Sequence, residues 1–300
     1  MSPSTVLTLN YVGSHSSRLD VGPLNNVAVT PGPGNPQDRA PYPYITPTFN
    51  DKSIGRSSYN ALQFELKRSF SNGLSYLVSY TWSKAMDIGC SGWYGVEGCS
   101  VQNPYNLNAD KSVAGFDLTD VLSASWVYQL PFGTGKRFKT GNGVVDYVVG
   151  NWQLNGILTF TSGLPYDVGI SGDIANTGMA GCCTYGYERL NLVGNPTPAN
   201  QTPSDWINKS AFAAPPPYTF GTLGRNALRA NWFKNVDLSI FRQFPITEAK
   251  RLEFRFEMFN LTNTPTWGIP DPTYGDPTFG QVSSTRSIER QLQFALKFLF

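Results

Sequence analysis

In KRLEFRFEMFNL, residues 250–261, Leu252, Phe254, Phe256 and Met258 alternate without exception with Arg251, Glu253, Arg255 and Glu257. A period of two sends the two sets to opposite sides of an extended chain, so the segment predicts a strand with one apolar and one strongly polar face. The same pattern recurs along the chain. In 60–70 Leu62, Phe64, Leu66 and Phe70 oppose Gln63, Glu65 and Lys67, and in 73–84 Leu74, Tyr76, Val78, Tyr80 and Trp82 oppose a row of Ser and Thr. Residues 120–130 set Leu122, Ala124, Trp126, Tyr128 and Leu130 against Ser123, Ser125 and Gln129, and residues 151–161 set Trp152, Leu154, Leu158 and Phe160 against Gln153, Asn155, Thr159 and Thr161. Val236, Leu238 and Ile240 mark another strand, and 288–300 ends the chain with Leu292, Phe294, Leu296, Phe298 and Phe300 on one face. A weaker opening strand covers 5–12. The prediction is all-β, about eight strands with no convincing amphipathic helix.

Strand length and charge placement separate a soluble sandwich from a transmembrane barrel. Most segments run about ten to thirteen residues, close to the roughly nine to eleven that a tilted strand needs to cross a bilayer. On the apolar face, cations occur only near strand ends (Arg68, Lys84, Arg242, Arg290), where a long side chain reaches the interface, whereas Glu65, Arg255 and Lys297 sit mid-strand on the other face. Tyr80, Trp82 and Trp152 at strand ends resemble interfacial girdles.

The connections alternate in length. Residues 71–73 and 245–249 are short, while 13–58, 86–117, 171–233 and 262–286 are long and rich in Gly, Pro, Asn and Tyr. With the final strand running inward, every long connection but 131–150 falls on the outer side. This parity requires 151–170 to continue through Ser162-Gly163-Leu164-Pro165 with a bulge or bend, because a hairpin turn there would reverse everything upstream. Within the long inner connection, Val144 to Val149 predicts a short helical turn. The chain is therefore read as a transmembrane antiparallel β-barrel segment with long extracellular loops.

Composition agrees. Charged residues make up 15% against about 25% for an ordinary globular chain, and aromatics reach 14%. That aromatic content excludes disorder throughout the chain. A formal charge of +2 gives no reason to expect nucleic acid, and no apolar run is long enough for a transmembrane helix. The single histidine, His15, argues against hydrolytic chemistry and, with no CxxC pair, against a zinc site. No catalytic, cofactor-binding or metal residue is assigned. Cys90 and Cys99 either close a small loop as a disulfide or, like Cys182 and Cys183, remain free thiols. The start MSPSTVLTLNYVG carries no secretory leader pattern, which suggests either a cytosolic protein or a chain that starts inside a longer one.

The strings YNALQFELKRSFSNGLSYLVSYTWSKAMD, FDLTDVLSASWVYQLPFGTGKRF, GNWQLNGILTFTSGLPYDV, RLEFRFEMFNLTN and IERQLQFALKFLF resemble the barrel of Oar-like TonB-dependent outer-membrane transporters. The resemblance implies a location in the cell outer membrane of a Gram-negative-type bacterium. It also implies the C-terminal part of a larger barrel, with the plug and TonB box absent from this chain, and Phe300 at the C-terminal signal read by the barrel assembly machinery. The implied function is passage of a bulky substrate in either direction, not catalysis. Partners would be outer-membrane lipid, the assembly machinery, and TonB only if a plug and TonB-box segment is supplied upstream. The alternative is an adhesion or structural surface protein that moves nothing.

Several residue sets carry competing readings. Arg251, Glu253, Arg255 and Glu257 either line a solute path or brace the wall as cross-strand ion pairs. Gly133-Thr134-Gly135-Lys136-Arg137 lacks phosphate-loop spacing and reads as a basic turn. Asp110, Asp117 and Asp120 are acidic enough for calcium but lack the spacing of a calcium loop. The loop 171–233, with Tyr185, Tyr187, Trp206, Tyr218 and Pro215 to Pro217, is the expected place for surface recognition or a plain lid.

Overall fold

The computed structural model describes residues 4–22, 24–49, 52–88, 101–133, 135–139, 141–179 and 187–300. Cys90, Cys99, Cys182 and Cys183 lie outside them, so the disulfide expectation falls outside the described residues.

Eight long strands follow one another in an antiparallel meander. They are β1 (Thr5–Val21), β2 (Lys52–Ser71), β3 (Leu74–Asp87), β4 (Asp120–Gln129), β5 (Trp152–Thr161), β6 (Phe233–Pro245), β7 (Arg251–Phe259) and β8 (Gln291–Leu299). Each pairs with its neighbours in chain order, and a short strand, Ser112–Val113, adds to the top of β3. Among the described residues β1 pairs only with β2, and β8 only with β7, so the sheet has two open edges.

The register turns single-strand alternation into continuous rows. Leu66, Val78, Ala124, Leu158 and Val236 are successive cross-strand partners, and so are Tyr76, Trp126, Gly156, Leu238, Met258 and Leu292. Phe256 and Phe294, opposite each other on β7 and β8, stack with ring centroids 4.4 Å apart. One interruption has a steric cause. A Cβ on Gly156 would meet Trp126 Cζ2 at 2.1 Å, so the missing side chain is the slot in which the indole lies along the sheet.

At one end the connections are tight. Asn72 (φ 52°) and Gly73 (φ 79°) both adopt the left-handed region, and this two-residue turn matches the twist of the strands it joins. The β4–β5 connection carries the predicted helix, α1 (Gly143–Val149), whose N-terminal amides of Val144 and Val145 donate to the Asn142 side chain. The long loops share the opposite end.

Two expected loop boundaries need correction. Residues 13–21 and 52–58, read as part of a loop over 13–58, are paired strand. In SHSSR and GRSSY both faces are polar, so the alternation fades while backbone pairing persists. A bulge at Arg18 (φ 58°) shifts the register there, opposite Gly55, where a Cβ would meet Val21 Cγ2 at 2.7 Å. The 86–117 loop is likewise trimmed at both margins by the pairing of Met86 and Asp87 with Val113 and Ser112.

The disputed Ser162-Gly163-Leu164-Pro165 segment is a bend. Beyond it, Pro165 and Tyr166 pair with Arg229 and Leu228, which directly precede β6. The chain therefore keeps the same neighbour across the break, and the strand parity holds. A Cβ on Gly163 would lie 1.8 Å from the Ala230 carbonyl oxygen, which explains glycine at this close crossing.

Candidate functional site

Two regions gather polar chemistry: the polar face near the turn end, and the loops at the other end.

On the polar face Glu253 is buried. Gln243 Nε2 donates to its Oε2 at 2.9 Å and Arg255 Nε to its Oε1 at 2.5 Å. Arg255 also lies over the Phe241 ring, 4.7 Å from the centroid. The ion pair therefore runs along β7, between residues two apart, and is not the cross-strand pair expected from the ladder. The cross-strand link is the Gln243 amide, with Lys297 opposite Glu253 in register on β8. Gln153 Nε2 donates to Asn155 Oδ1 (2.7 Å) and Asn155 Nδ2 to Ser239 Oγ (3.2 Å), continuing the polar network across β5 and β6. Beside these groups lies a cleft of about 570 Å³ lined by Gln129, Lys136, Gln153, Arg251, Glu253 and Arg255, among others. Of the ladder, Arg251, Glu253 and Arg255 share this cleft, and Glu257 faces a second depression with Asn155 and Ser239. Basic groups outnumber the one carboxylate on the cleft wall, which suits an anionic or polar solute.

The loops are packed, with a core of their own. Tyr166, Leu190, Trp206, Phe212, Leu228 and Phe279 belong to one buried cluster drawn from the connections β5–β6 and β7–β8. Trp206, read as a recognition residue, is 5% exposed and serves this core, whereas Tyr218 stays exposed. Burial raises the Tyr166 phenol well above its ordinary range.

Among the described residues, three ion pairs stitch the loops together. Arg225 pairs with Asp87, Arg189 with Asp110, and Arg229 Nη2 with Asp117 Oδ2 at 2.6 Å. Arg225 is 3% exposed, and its Nε also donates to the Asp110 carbonyl at 3.2 Å. Asp117 Oδ1 accepts from the Ala85 amide at 2.6 Å, which ties the lattice to the top of β3. Asp120 accepts from the Tyr80 hydroxyl at 2.6 Å. The three aspartates considered for calcium are thus spent on separate partners, and the described residues hold no group of three or more His, Cys, Asp or Glu arranged for a metal. Burial raises the Asp110 carboxyl despite the Arg189 guanidinium beside it. The arginine partners escaped the sequence reading, because Asp87 and Arg225 lie 138 positions apart in unpatterned segments. The available signal was that three arginines interrupt an otherwise charge-poor loop.

The first loop joins the others around Asn176, whose carbonyl also accepts from Arg39 Nη2. Asn176 Nδ2 donates to the carbonyls of Gly32 and Gly34, both at 2.7 Å, and the Ala28 amide donates to the Thr177 carbonyl at 2.9 Å. Around the basic turn expected here, the Lys136 amide donates to the Gly133 carbonyl at 3.1 Å and the Gly133 amide to the Phe138 carbonyl at 2.9 Å.

A family model described as an outer membrane beta barrel domain matches residues 1–293. The chain belongs to this family. Membership decides what the two faces of the sheet meet: in an outer membrane barrel the apolar rows face lipid and the polar rows face the interior. No described helix is long and apolar enough to cross a membrane, and here the strands do so. No curated protein matches the chain. The cleft beside Glu253 and Arg255 lies on the polar side of this sheet, and the ion-paired loops lie at one end of its strands.

Proposed function

We propose that this chain forms the C-terminal wall and loop cap of a larger TonB-dependent, Oar-like barrel that passes a bulky substrate, and that it catalyses no reaction. The observation that carries the reading is the pair of open sheet edges. In hydrocarbon each unpaired backbone group costs several kcal/mol, so β1 and β8 require partner strands. Eight strands closed on themselves would leave an interior filled by side chains, with little passage for anything large. On this reading the basic cleft beside Glu253 and Arg255 lies on the path, the assembly machinery engages β8, TonB acts only through a plug segment, and nucleic acid has no role.

The test is a pair of cysteines at Leu9 and Phe294, facing lipid on the two edge strands, in a chain whose native cysteines are serine. If the wall is part of a larger barrel, no intramolecular disulfide forms in the outer membrane and cross-links go to other strands. Efficient closure of the Leu9–Phe294 pair within one chain overturns the proposal. The packed loop core and its three ion pairs favour a second reading, a rigid surface-adhesion platform. Substrate entry that stops when TonB is deleted speaks for transport; surface binding that is indifferent to TonB speaks for adhesion.

A further inference from the structure

The connection between β4 and β5 has an inverted polarity for a segment in water. In α1, Val144 is 74% and Val148 57% exposed, Val145 and Tyr147 are exposed too, and the one charged residue, Asp146, is buried. A surface helix in water buries its valines and presents its carboxylate. Next to it Phe132 and Phe138, with ring centroids 5.7 Å apart, are also exposed.

Its position says what covers it. Tyr147 packs on Phe244 with centroids 6.2 Å apart, and Trp152 Nε1 donates to the Val148 carbonyl at 3.1 Å. Arg242, 3% exposed, donates from Nη1 to the same carbonyl and sits among the rings of Phe244, Trp152 and Tyr147 at 4.0, 5.3 and 5.6 Å. Phe244, Trp152 and Arg242 all belong to the apolar rows, so α1 is clamped to the lipid-facing side of the wall at the end of its strands. Arg137 and Lys139 are exposed beside Phe138, with Arg137 5.4 Å from its ring centroid.

We propose that α1, together with Phe132, Arg137, Phe138 and Lys139, forms an interfacial anchor that lies in the bilayer at the turn end of the strands. The valines and Phe138 enter the acyl boundary, and Arg137 and Lys139 bind the phosphates of anionic phospholipid headgroups. Apolar residues inserted at headgroup depth with cations alongside are the arrangement by which surface helices hold to anionic membranes. Arg242 and the aromatic box set the depth by fixing the helix to the wall. The proposal does not depend on whether the barrel transports.

The test uses the full chain in bilayers of phosphatidylcholine alone and of phosphatidylcholine with phosphatidylglycerol at about two to one, reading amide hydrogen exchange over 141–149. Two cations at an anionic surface predict exchange slower by roughly tenfold in the anionic bilayer. The Arg137→Gln/Lys139→Gln variant loses that difference while exchange in β2 and β3 is unchanged. Equal rates in both lipids for the unaltered chain overturn the headgroup contact. A nitroxide at Val148→Cys gives the second measurement. Access to dissolved oxygen above access to a water-soluble nickel complex supports insertion, and nickel access as high as at a Tyr44→Cys control in the long loops overturns it.

Discussion

Glu188 sits where the third long loop folds back on itself, on a short strand beside Ile170, with both carboxylate oxygens within 3.3 Å of the Ala175 amide. Burial, reinforced by the neighbouring Asp173 carboxylate, raises its pKa to about 7 from an ordinary 4.5. The folded loop therefore holds this proton more tightly than the unfolded loop does. By linkage its contribution to stability is complete below about 4.5 and is lost as pH rises toward about 7, by an amount on the order of a few kcal/mol. Hydrogen exchange of residues 169–178, corrected for its intrinsic pH dependence, should show easier opening across that interval, and Glu188→Gln should flatten the profile. An unaltered profile in the variant would assign the opening to another group. No property of the Tyr-Glu-Arg-Leu string marks Glu188 as special, because its shift comes from burial by residues distant in sequence and from Asp173.

The eight strands differ in how plainly they show themselves. β7 and β8 have polar and apolar residues at nearly every alternate position; the limits of β7 are legible within two residues, whereas β8 begins at Gln291, three residues after the expected 288. β1 is 17 residues long, yet only its first part alternates, because hydrogen bonding to β2 holds the rest where neither face is apolar. Alternation thus reports what a strand faces, while its length reports what it pairs with. Phe300 directly follows β8. It is 92% exposed, with the Phe298 ring 5.9 Å away, so its removal should leave the unfolding midpoint of refolded protein in detergent unchanged. Deleting Phe300 should nonetheless lower the amount assembled in the outer membrane several-fold, as seen by fractionation, if the terminal aromatic is read during assembly. A fall in the midpoint itself would make its role one of packing instead.

At the scale of the molecule, a lipid-facing sheet carries a loop cap that has its own aromatic core and ion pairs. The pair of Arg225 with Asp87 should be the most sensitive joint. Arg225→Ala strands a buried carboxylate and should destabilise the cap by about 3–5 kcal/mol, while the double change Arg225→Met/Asp87→Leu should cost clearly less. Protease resistance of the loops against denaturant would rank the two, and equal losses would make the arginine a packing residue. The sequence by itself determined the alternating strands, their faces and the short helix. Each follows from periodicity or turn chemistry within a few residues. Only the tertiary structure decided that Asp87, Asp110 and Asp117 are held by arginines, that Trp206 is core, and that α1 lies against the lipid-facing rows. It also showed that, among the described residues, both outer strands of the sheet are open edges. Those outcomes depend on which distant segments meet once long aperiodic loops close and strands register. Burial and electrostatic partnership are properties of that meeting, and no local pattern in the chain encodes them.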